Sequence, residues 1–219
     1  MLFDLRSRGR RTAVRGVYLT LAILIGGGLI LFGVGTGVGG GGLLNAFKGG
    51  GGGSQNQVIS SAERNAEKRV KTQPDSPAAW ASLVQAHWTA AGQGSNFNGQ
   101  TFTASGNKEL RQAGDAWMHY IQLTHGSDPQ GIAILAARAY GSLGDYAGEA
   151  GAWEIEAATN PSQLKGYECL AVSAYAAKET RKGDLALNKA IGLVPKAQRK
   201  TLSTQIQSAK TNPKIAQQC

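Results

Sequence analysis

Three histidines and two cysteines are the side chains in this sequence most able to bind a metal ion or act as nucleophiles. His119 and His125 are six positions apart, whereas two ligands on one helix face need a spacing of about four. His87 follows Trp80 and Leu83 at helical spacing, so we expect it to pack against neighbouring helices. The sequence also lacks H-E-x-x-H, G-x-S-x-G, phosphate-loop and paired-cysteine metal motifs. It therefore predicts no metal, no cofactor and no enzymatic activity.

Cys169 and Cys219 could form a disulfide if this part of the chain lies outside the cytoplasm, where oxidation is permitted. In the chain-entropy model, a loop of about 50 residues closed in this way contributes a few kcal/mol of stability. The bond would tie the C-terminal tail to the body of the domain. The alternative is a buried free Cys169 and a reactive free Cys219. Composition and spacing leave both interpretations open.

The N-terminal region has the pattern of a membrane anchor. Residues 16–47 carry no charged side chain, and the apolar part, residues 16–36, is long enough as a helix to cross a hydrocarbon core of about 30 Å. It is longer than the apolar run of a cleavable signal peptide, and no small-residue cleavage site follows it. We therefore expect an uncleaved transmembrane helix. The arginines that precede it predict a cytoplasmic N-terminus: Arg6, Arg8, Arg10, Arg11 and Arg15.

The rest of the chain is then placed outside the cytoplasm. Glycine-rich sequence follows the apolar segment and behaves as a flexible tether. Four segments are predicted: a cytoplasmic basic arm over residues 1–15, a transmembrane helix over 16–36, a glycine-rich linker over 37–57 and a helical domain over 58–219.

Charge is unevenly distributed along the predicted outer domain, although the whole chain has a net charge of +9. Residues 109–168 contain eight acidic and three basic side chains, whereas residues 178–219 contain nine basic and two acidic ones. A basic surface outside the cytoplasm would meet anionic lipid, acidic wall polymer or an acidic protein rather than nucleic acid. The alternative is a solvated helix surface without a partner.

From Ser61 onward the chain reads as successive helices with no strand. The expected helices are residues 61–71 and 77–91, a helix after the loop 92–106 that carries Leu110 to Ile121, and then residues 132–143, 146–159, 164–177, 183–193 and 197–210. Pro129, Pro161 and Pro195 each follow a predicted helix pair, and they are 32 and 34 residues apart. Their spacing is close to the period of about 34 residues, with two helices per unit, that is typical of tetratricopeptide repeats.

Individual residues also resemble that repeat. The chain has an aromatic residue, a leucine or a small residue at positions that match the pattern of the repeat: Trp80, Leu83, Tyr140, Gly144, Tyr146, Trp153, Tyr167, Leu170, Ala171, Leu187 and Ala190. The chain departs from the repeat in the insertion over residues 92–106, in a short second unit and in Gly183, where alanine is usual. The resemblance implies an all-α fold, a short tetratricopeptide-like α-solenoid closed by a C-terminal capping helix.

The resemblance also implies a concave face lined by the first helix of each pair. In that register the partner-binding residues are Gln85, Trp88, Thr89, Arg138, Glu168, Val172 and Tyr175. Trp88 is either an exposed anchor for a partner or a residue packed against the insertion or the first helix. The insertion, with Phe97 and Phe102, is either functional or a flap on the groove.

The layout resembles bacterial membrane-anchored tetratricopeptide proteins that accompany the Sec translocon and periplasmic chaperones. It implies a non-enzymatic scaffold or chaperone-like protein that binds protein or peptide at the outer face of the cytoplasmic membrane. Two alternatives remain at this point. The basic C-terminal region could bind anionic lipid or wall polymer, or the chain could be a structural subunit of a membrane complex that makes its contacts through the membrane helix.

Overall fold

A computed structural model describes residues 54–219 of the chain, with side chains described from residue 61. The described residues form eight α-helices and three short 3-10 segments. The helices are α1 (Ser54–Thr72), α2 (Pro77–Ala91), α3 (Ala104–Leu123), α4 (Ala133–Leu143), α5 (Tyr146–Thr159), α6 (Leu164–Ala176), α7 (Thr180–Gly192) and α8 (Lys196–Gln207). The 3-10 segments are Gly94–Asn96, Ser208–Lys210 and Pro213–Gln218. Within the described part of the chain the only strand-like feature is one isolated bridge between Phe97 and Phe102, so the all-α prediction is confirmed there.

Local sequence explains where most helices begin and end. The Thr103 side chain accepts a hydrogen bond from the Gly106 amide and caps α3, and Asp145 caps α5 in the same way through the Gly148 amide. Gly144 ends α4 in the left-handed conformation with φ of 75°, which glycine reaches without steric cost. The predicted turn between α4 and α5 is therefore present.

The turn after α6 repeats the turn after α4. The Asp145 amide donates to the Tyr140 carbonyl, and the Glu179 amide donates to the Ala174 carbonyl at the equivalent position of the next pair. Lys178 has φ of 63° and so takes the left-handed position that Gly144 takes in the preceding pair. Two helix pairs, α4–α5 and α6–α7, thus close with the same hydrogen bonds.

In each of these two pairs, a glycine on one helix packs against a large side chain on the other helix. The glycine is on the first helix of α4–α5 and on the second helix of α6–α7. In the first pair a Cβ added at Gly141 would lie 2.9 Å from the carboxylate of Glu149. In the second pair a Cβ added at Gly183 would lie 2.5 Å from the ring of Tyr175. Tyr175 occupies the position equivalent to Gly141, and Gly183 the position equivalent to Glu149. Each crossing therefore joins one glycine to one large side chain, and Gly183 is explained by the ring it accommodates.

The core is continuous along the array because consecutive helices from α2 to α7 pack on one another. It is built mostly from small residues, with Trp153 and Tyr120 among its largest fully buried side chains. The Tyr120 hydroxyl donates to Asp128, whose other carboxylate oxygen accepts from the Ala133 amide at the start of α4. Buried polar groups at this junction are thus satisfied, as burial requires. Residues 56–219 form one compact unit.

Three helix starts and the end of α8, at Gln207 rather than Lys210, differ most from the sequence predictions. Helix α1 begins at Ser54 rather than Ser61, so the last residues of the predicted linker, 54–57, are helical. Helix α3 begins at Ala104, where Thr103 caps it, so the last residues of the predicted loop, 104–106, are helical. Helix α7 begins at Thr180, which places Gly183 inside the helix rather than at its start.

The predicted basic arm, membrane helix and most of the linker lie outside the described residues. Among residues 54–219, no helix combines the length and the apolar character needed to cross a membrane.

Candidate functional site

The end of the chain lies on the face formed by the first helices of the pairs. The 3-10 segment Pro213–Gln218 packs against α6 and α4, and the preceding segment, Ser208–Lys210, packs against α6. Ala209 and Ala216 are buried in these contacts. We call residues 208–219 the tail. A peptide-like length of the protein's own chain therefore occupies part of the face on which the sequence predicted a partner.

A disulfide between Cys169 and Cys219 holds the tail in place. Cys169 is fully buried on α6, and the two Cα atoms are 5.6 Å apart. Of the two arrangements that the sequence left open, this structure has the bonded one. The chain terminus is thereby fixed to the middle of α6.

The seven residues predicted to bind a partner do not form one surface. Gln85 and Thr89 are exposed and line a groove between α1 and α2. Trp88 and Arg138 line a different cavity, described below. Glu168 is half-buried on α6.

Val172 and Tyr175 were expected on the open face, and that expectation is wrong because both are buried, with 5% and 3% of their surface exposed. The Tyr175 hydroxyl donates to Asp184 at 2.6 Å, and the Lys210 ammonium lies 4.2 Å from the centre of its ring. The tail supplies Lys210, and α7 supplies Asp184. Tyr175 is therefore held between α7 and the tail, and neither Val172 nor Tyr175 presents an open surface to a partner.

A cavity of about 370 Å³ lies beside the tail. Its walls come from α2, the insertion, α4, α5 and the tail, and its lining includes Trp88, Phe97, Phe102, Arg138 and Glu149. The two phenylalanine rings are 5.0 Å apart. This is the size and the mainly apolar character of a small-ligand or side-chain pocket.

The insertion is a folded wall of this cavity. The Asn98 side chain accepts hydrogen bonds from the amides of Gln100 and Thr101, which closes the turn between Phe97 and Phe102. Phe102 and Trp88 both pack against a small apolar cluster formed by Ala91, Leu110, Ala113 and Ala139. Trp88 therefore packs beside the insertion, as one of the two alternatives predicted, and it also lines the cavity.

Glu149 is the chemically distinctive residue of the cavity. Its side chain is 1% exposed, and its Oε2 atom has no hydrogen-bond partner among the described residues. Burial raises the pKa of Glu149 to about 7, while the neighbouring donors of Ser173 and Trp153 act in the opposite direction. Ser173 Oγ and Trp153 Nε1 likewise have no partner within hydrogen-bonding geometry among residues 61–219. The base of the cavity therefore holds a carboxyl group with unused bonding capacity.

A second cluster joins the first three helices. Nδ1 of His87, on α2, lies 2.8 Å from Oε2 of Glu109 on α3 and 3.5 Å from Oε1 of Glu63 on α1. One ligand atom from each residue lies within 4.8 Å of the other two. Burial raises the pKa of Glu63, and the nearby Glu109 carboxylate raises it further. We call these three residues the His–Glu cluster.

Sequence reasoning missed this cluster because its members are far apart in the chain and belong to three helices. His87 is buried as a packing residue would be, but its contacts are carboxylates. No short motif links the three residues, and only an explicit alignment of α1, α2 and α3 faces would have found them. The other two histidines lie elsewhere: His119 stacks on Trp80 at 4.3 Å between ring centres, and His125 occupies a left-handed turn.

Comparisons of this chain with protein-family models, with curated proteins and with solved structures find no match.

Proposed function

We propose that the chain is a non-enzymatic scaffold or chaperone-like protein, anchored in the membrane, whose helical domain binds segments of other proteins. The observation that carries this proposal is the tail on the face of α4 and α6. That face already accommodates a short helical length of polypeptide, with small apolar side chains buried beneath it. A surface that binds one peptide segment in this way has the shape and apolar character to bind another.

We further propose that the helix pairs are tetratricopeptide-like units. Support comes from the turns after α4 and α6, which share their hydrogen bonds at equivalent positions. The glycine–glutamate and tyrosine–glycine crossings keep the same sequence offset as the turns. That offset equals the repeat length of about 34 residues. Repeats of this kind commonly present a binding face on the first helix of each pair.

The membrane anchor and the outer location of the domain are also proposals. They are supported by the arginine-flanked apolar segment, residues 16–36. The disulfide between Cys169 and Cys219 is consistent with an oxidising compartment outside the cytoplasm.

The cavity indicates what a partner could insert. Three aromatic rings suit an apolar side-chain body, and the Glu149 carboxyl can accept a hydrogen bond at its far end. A partner lysine or tyrosine side chain satisfies both requirements, because each has an apolar body and a donor at its tip. Such an anchor residue would be desolvated on binding, as residues that dominate interface energies usually are.

The test is photo-crosslinking in intact membranes from probes at Trp88 and Arg138, which line the cavity. A probe at Met118, whose side chain is 53% exposed on α3 outside this lining, is the matched control. One dominant protein adduct at the cavity positions, absent from the control, supports a dedicated scaffold. Many unrelated exported chains support a chaperone role. Equal labelling at all three positions contradicts a binding site at the cavity.

The alternative of a basic polymer- or lipid-binding surface makes a different prediction. Two of the nine cations in residues 178–219 are already paired within the domain: Lys182 with Glu154 and Glu179, and Lys210 with Asp184. Binding through the remaining charges would weaken steeply with ionic strength, whereas binding in the aromatic cavity would not. If both cavity probes stay unlabelled while the protein remains in a large complex, the contact belongs to the proposed membrane helix instead.

A further inference from the structure

We infer that Glu63, His87 and Glu109 bind a divalent transition-metal ion, with Zn²⁺ the best match, and that this ion clamps α1 to α2 and α3. The site is separate from the tail and from the aromatic cavity. It does not depend on the function proposed above.

The spacing of the donor atoms suits a small ion. Zn²⁺ binds imidazole nitrogen and carboxylate oxygen at about 2.0–2.2 Å, and ligands around a tetrahedral ion are then about 3.3 Å apart. The His87 nitrogen is 2.8 Å from Glu109 and 3.5 Å from Glu63. Shifts of a few tenths of an ångström would bring both distances to the coordinated value.

The charge of the His–Glu cluster also favours a cation. With the imidazole neutral, two carboxylates give the three side chains a charge of −2, and with it protonated a charge of −1 remains. These groups are shielded from water: their side chains are 24%, 4% and 15% exposed for Glu63, His87 and Glu109. A divalent ion neutralises the cluster where solvent screening is weak.

The donor set narrows the identity of the ion. One imidazole and two carboxylates are the ligand types of zinc and other first-row transition metals. Ca²⁺ and Mg²⁺ prefer oxygen ligands throughout, so an imidazole disfavours both.

The surroundings provide a place for a further ligand. An open cavity of about 380 Å³ adjoins His87 and is lined by Gln112, among others. Gln112 lies one helical turn after Glu109, and its Oε1 atom is buried without a hydrogen-bond partner among the described residues. That oxygen, or water from the cavity, can complete the coordination that three protein ligands leave open.

Metal binding would attach α1 to the rest of the helical domain. Glu63 belongs to α1, the first described helix, whereas His87 belongs to α2 and Glu109 to α3. An ion shared by all three residues would fix α1 on the array. Metal binding would then stabilise the folded domain by mass action.

The test uses the untagged, full-length protein in detergent, stripped of metal by a chelator. Zinc stoichiometry is measured by competition with a chromogenic chelator, and the thermal unfolding midpoint is measured with and without Zn²⁺. We expect one zinc per chain and a higher midpoint with the ion. Mg²⁺ and Ca²⁺ at the same concentration should leave the midpoint unchanged.

Two substitutions assign the site. His87→Gln and Glu109→Gln should each weaken zinc binding by at least about tenfold, because each removes one of three protein ligands. His125→Gln is the matched control, since His125 lies in an exposed turn away from the cluster. It should bind zinc as the unchanged protein does. If His87→Gln fails to fold, Glu109→Gln decides the question, because it keeps the shape of the side chain.

Two results would overturn the inference. The first is no zinc binding by the unchanged protein at about 100 µM, a concentration far above the dissociation constants of protein zinc sites. The second is binding that neither His87→Gln nor Glu109→Gln weakens. Either result would leave the cluster as a polar contact of His87 with its two neighbouring carboxylates.

Discussion

Opening the disulfide between Cys169 and Cys219 should lower the free energy of unfolding by about 4 kcal/mol. The bond joins residues 50 apart in sequence, and the closed loop contains the end of α6, all of α7 and α8, and the tail. In the chain-entropy model a loop of that length restricts the unfolded chain by roughly 4 kcal/mol at 25 °C. The native contacts of the tail add little to this value, because its buried side chains are mainly alanines.

The change is made in two independent ways, by a phosphine reductant on the unchanged protein and by Cys219→Ser. Cys219 is half-buried at the chain end, so serine there causes little direct damage to the core. Cys169→Ser is a poorer choice because it places a hydroxyl at a fully buried position.

Urea unfolding followed by far-ultraviolet circular dichroism measures the effect. With a slope of about 2 kcal/mol per molar urea, a loss of about 4 kcal/mol moves the midpoint down by roughly 2 M. Reductant should leave the midpoint of Cys219→Ser unchanged, which controls for effects unrelated to the bond. The reasoning fails if the reduced and oxidised forms of the unchanged protein unfold within about 0.3 M of each other.

Three further predictions concern single positions. Gly183→Ala should destabilise the domain by about 1–3 kcal/mol, because the added Cβ would lie 2.5 Å from the Tyr175 ring. Gly151→Ala, whose Cβ would have nothing within 4 Å, should stabilise α5 by about 0.5–1 kcal/mol. Equal effects of the two variants on urea unfolding would refute this reasoning. Burial raises the pKa of Glu149 from 4.5 to about 7, so the folded state holds this proton more tightly than the unfolded state does. The free energy of unfolding should therefore fall by up to about 3 kcal/mol as pH rises from about 4.5 through 7. Glu149→Gln should remove this pH dependence, and an unchanged dependence in the variant would contradict the assignment. Lys178→Gly should raise stability by up to about 1 kcal/mol, because glycine adopts a φ of 63° without steric cost, and a lower urea midpoint would show that this turn is unstrained.

The helical architecture could be predicted because its signals are local. Pro77 begins α2, Gly144 and Asp145 form the turn between α4 and α5, and proline follows α5 and α7 at the ends of their pairs. These residues act through backbone dihedral angles and neighbouring hydrogen bonds, which depend on a few adjacent positions. Boundaries were less accurate where capping depended on a side chain in polar sequence, as with Thr103.

The candidate sites could be predicted only in part. Trp88 and Arg138 were expected to face a binding surface, and both line the cavity beside the tail. Val172 and Tyr175 were expected on the same surface, yet both are buried, and the Tyr175 ring lies between Gly183 of α7 and Lys210 of the tail. The position of the tail follows from a contact between residues 50 apart in sequence, and no local pattern encodes such a contact.

The sequence by itself determined that the domain is helical, where its turns lie and which two cysteines were free to pair. Only the tertiary structure decided what those helices bring together. It packed the Glu149 carboxyl against Gly141 and placed Lys210 of the tail over the Tyr175 ring. It also brought the carboxylates of Glu63 and Glu109 to His87. The physical reason is range: dihedral preference and capping act over a few residues, whereas burial and ion pairing act between side chains that meet only when separate helices pack.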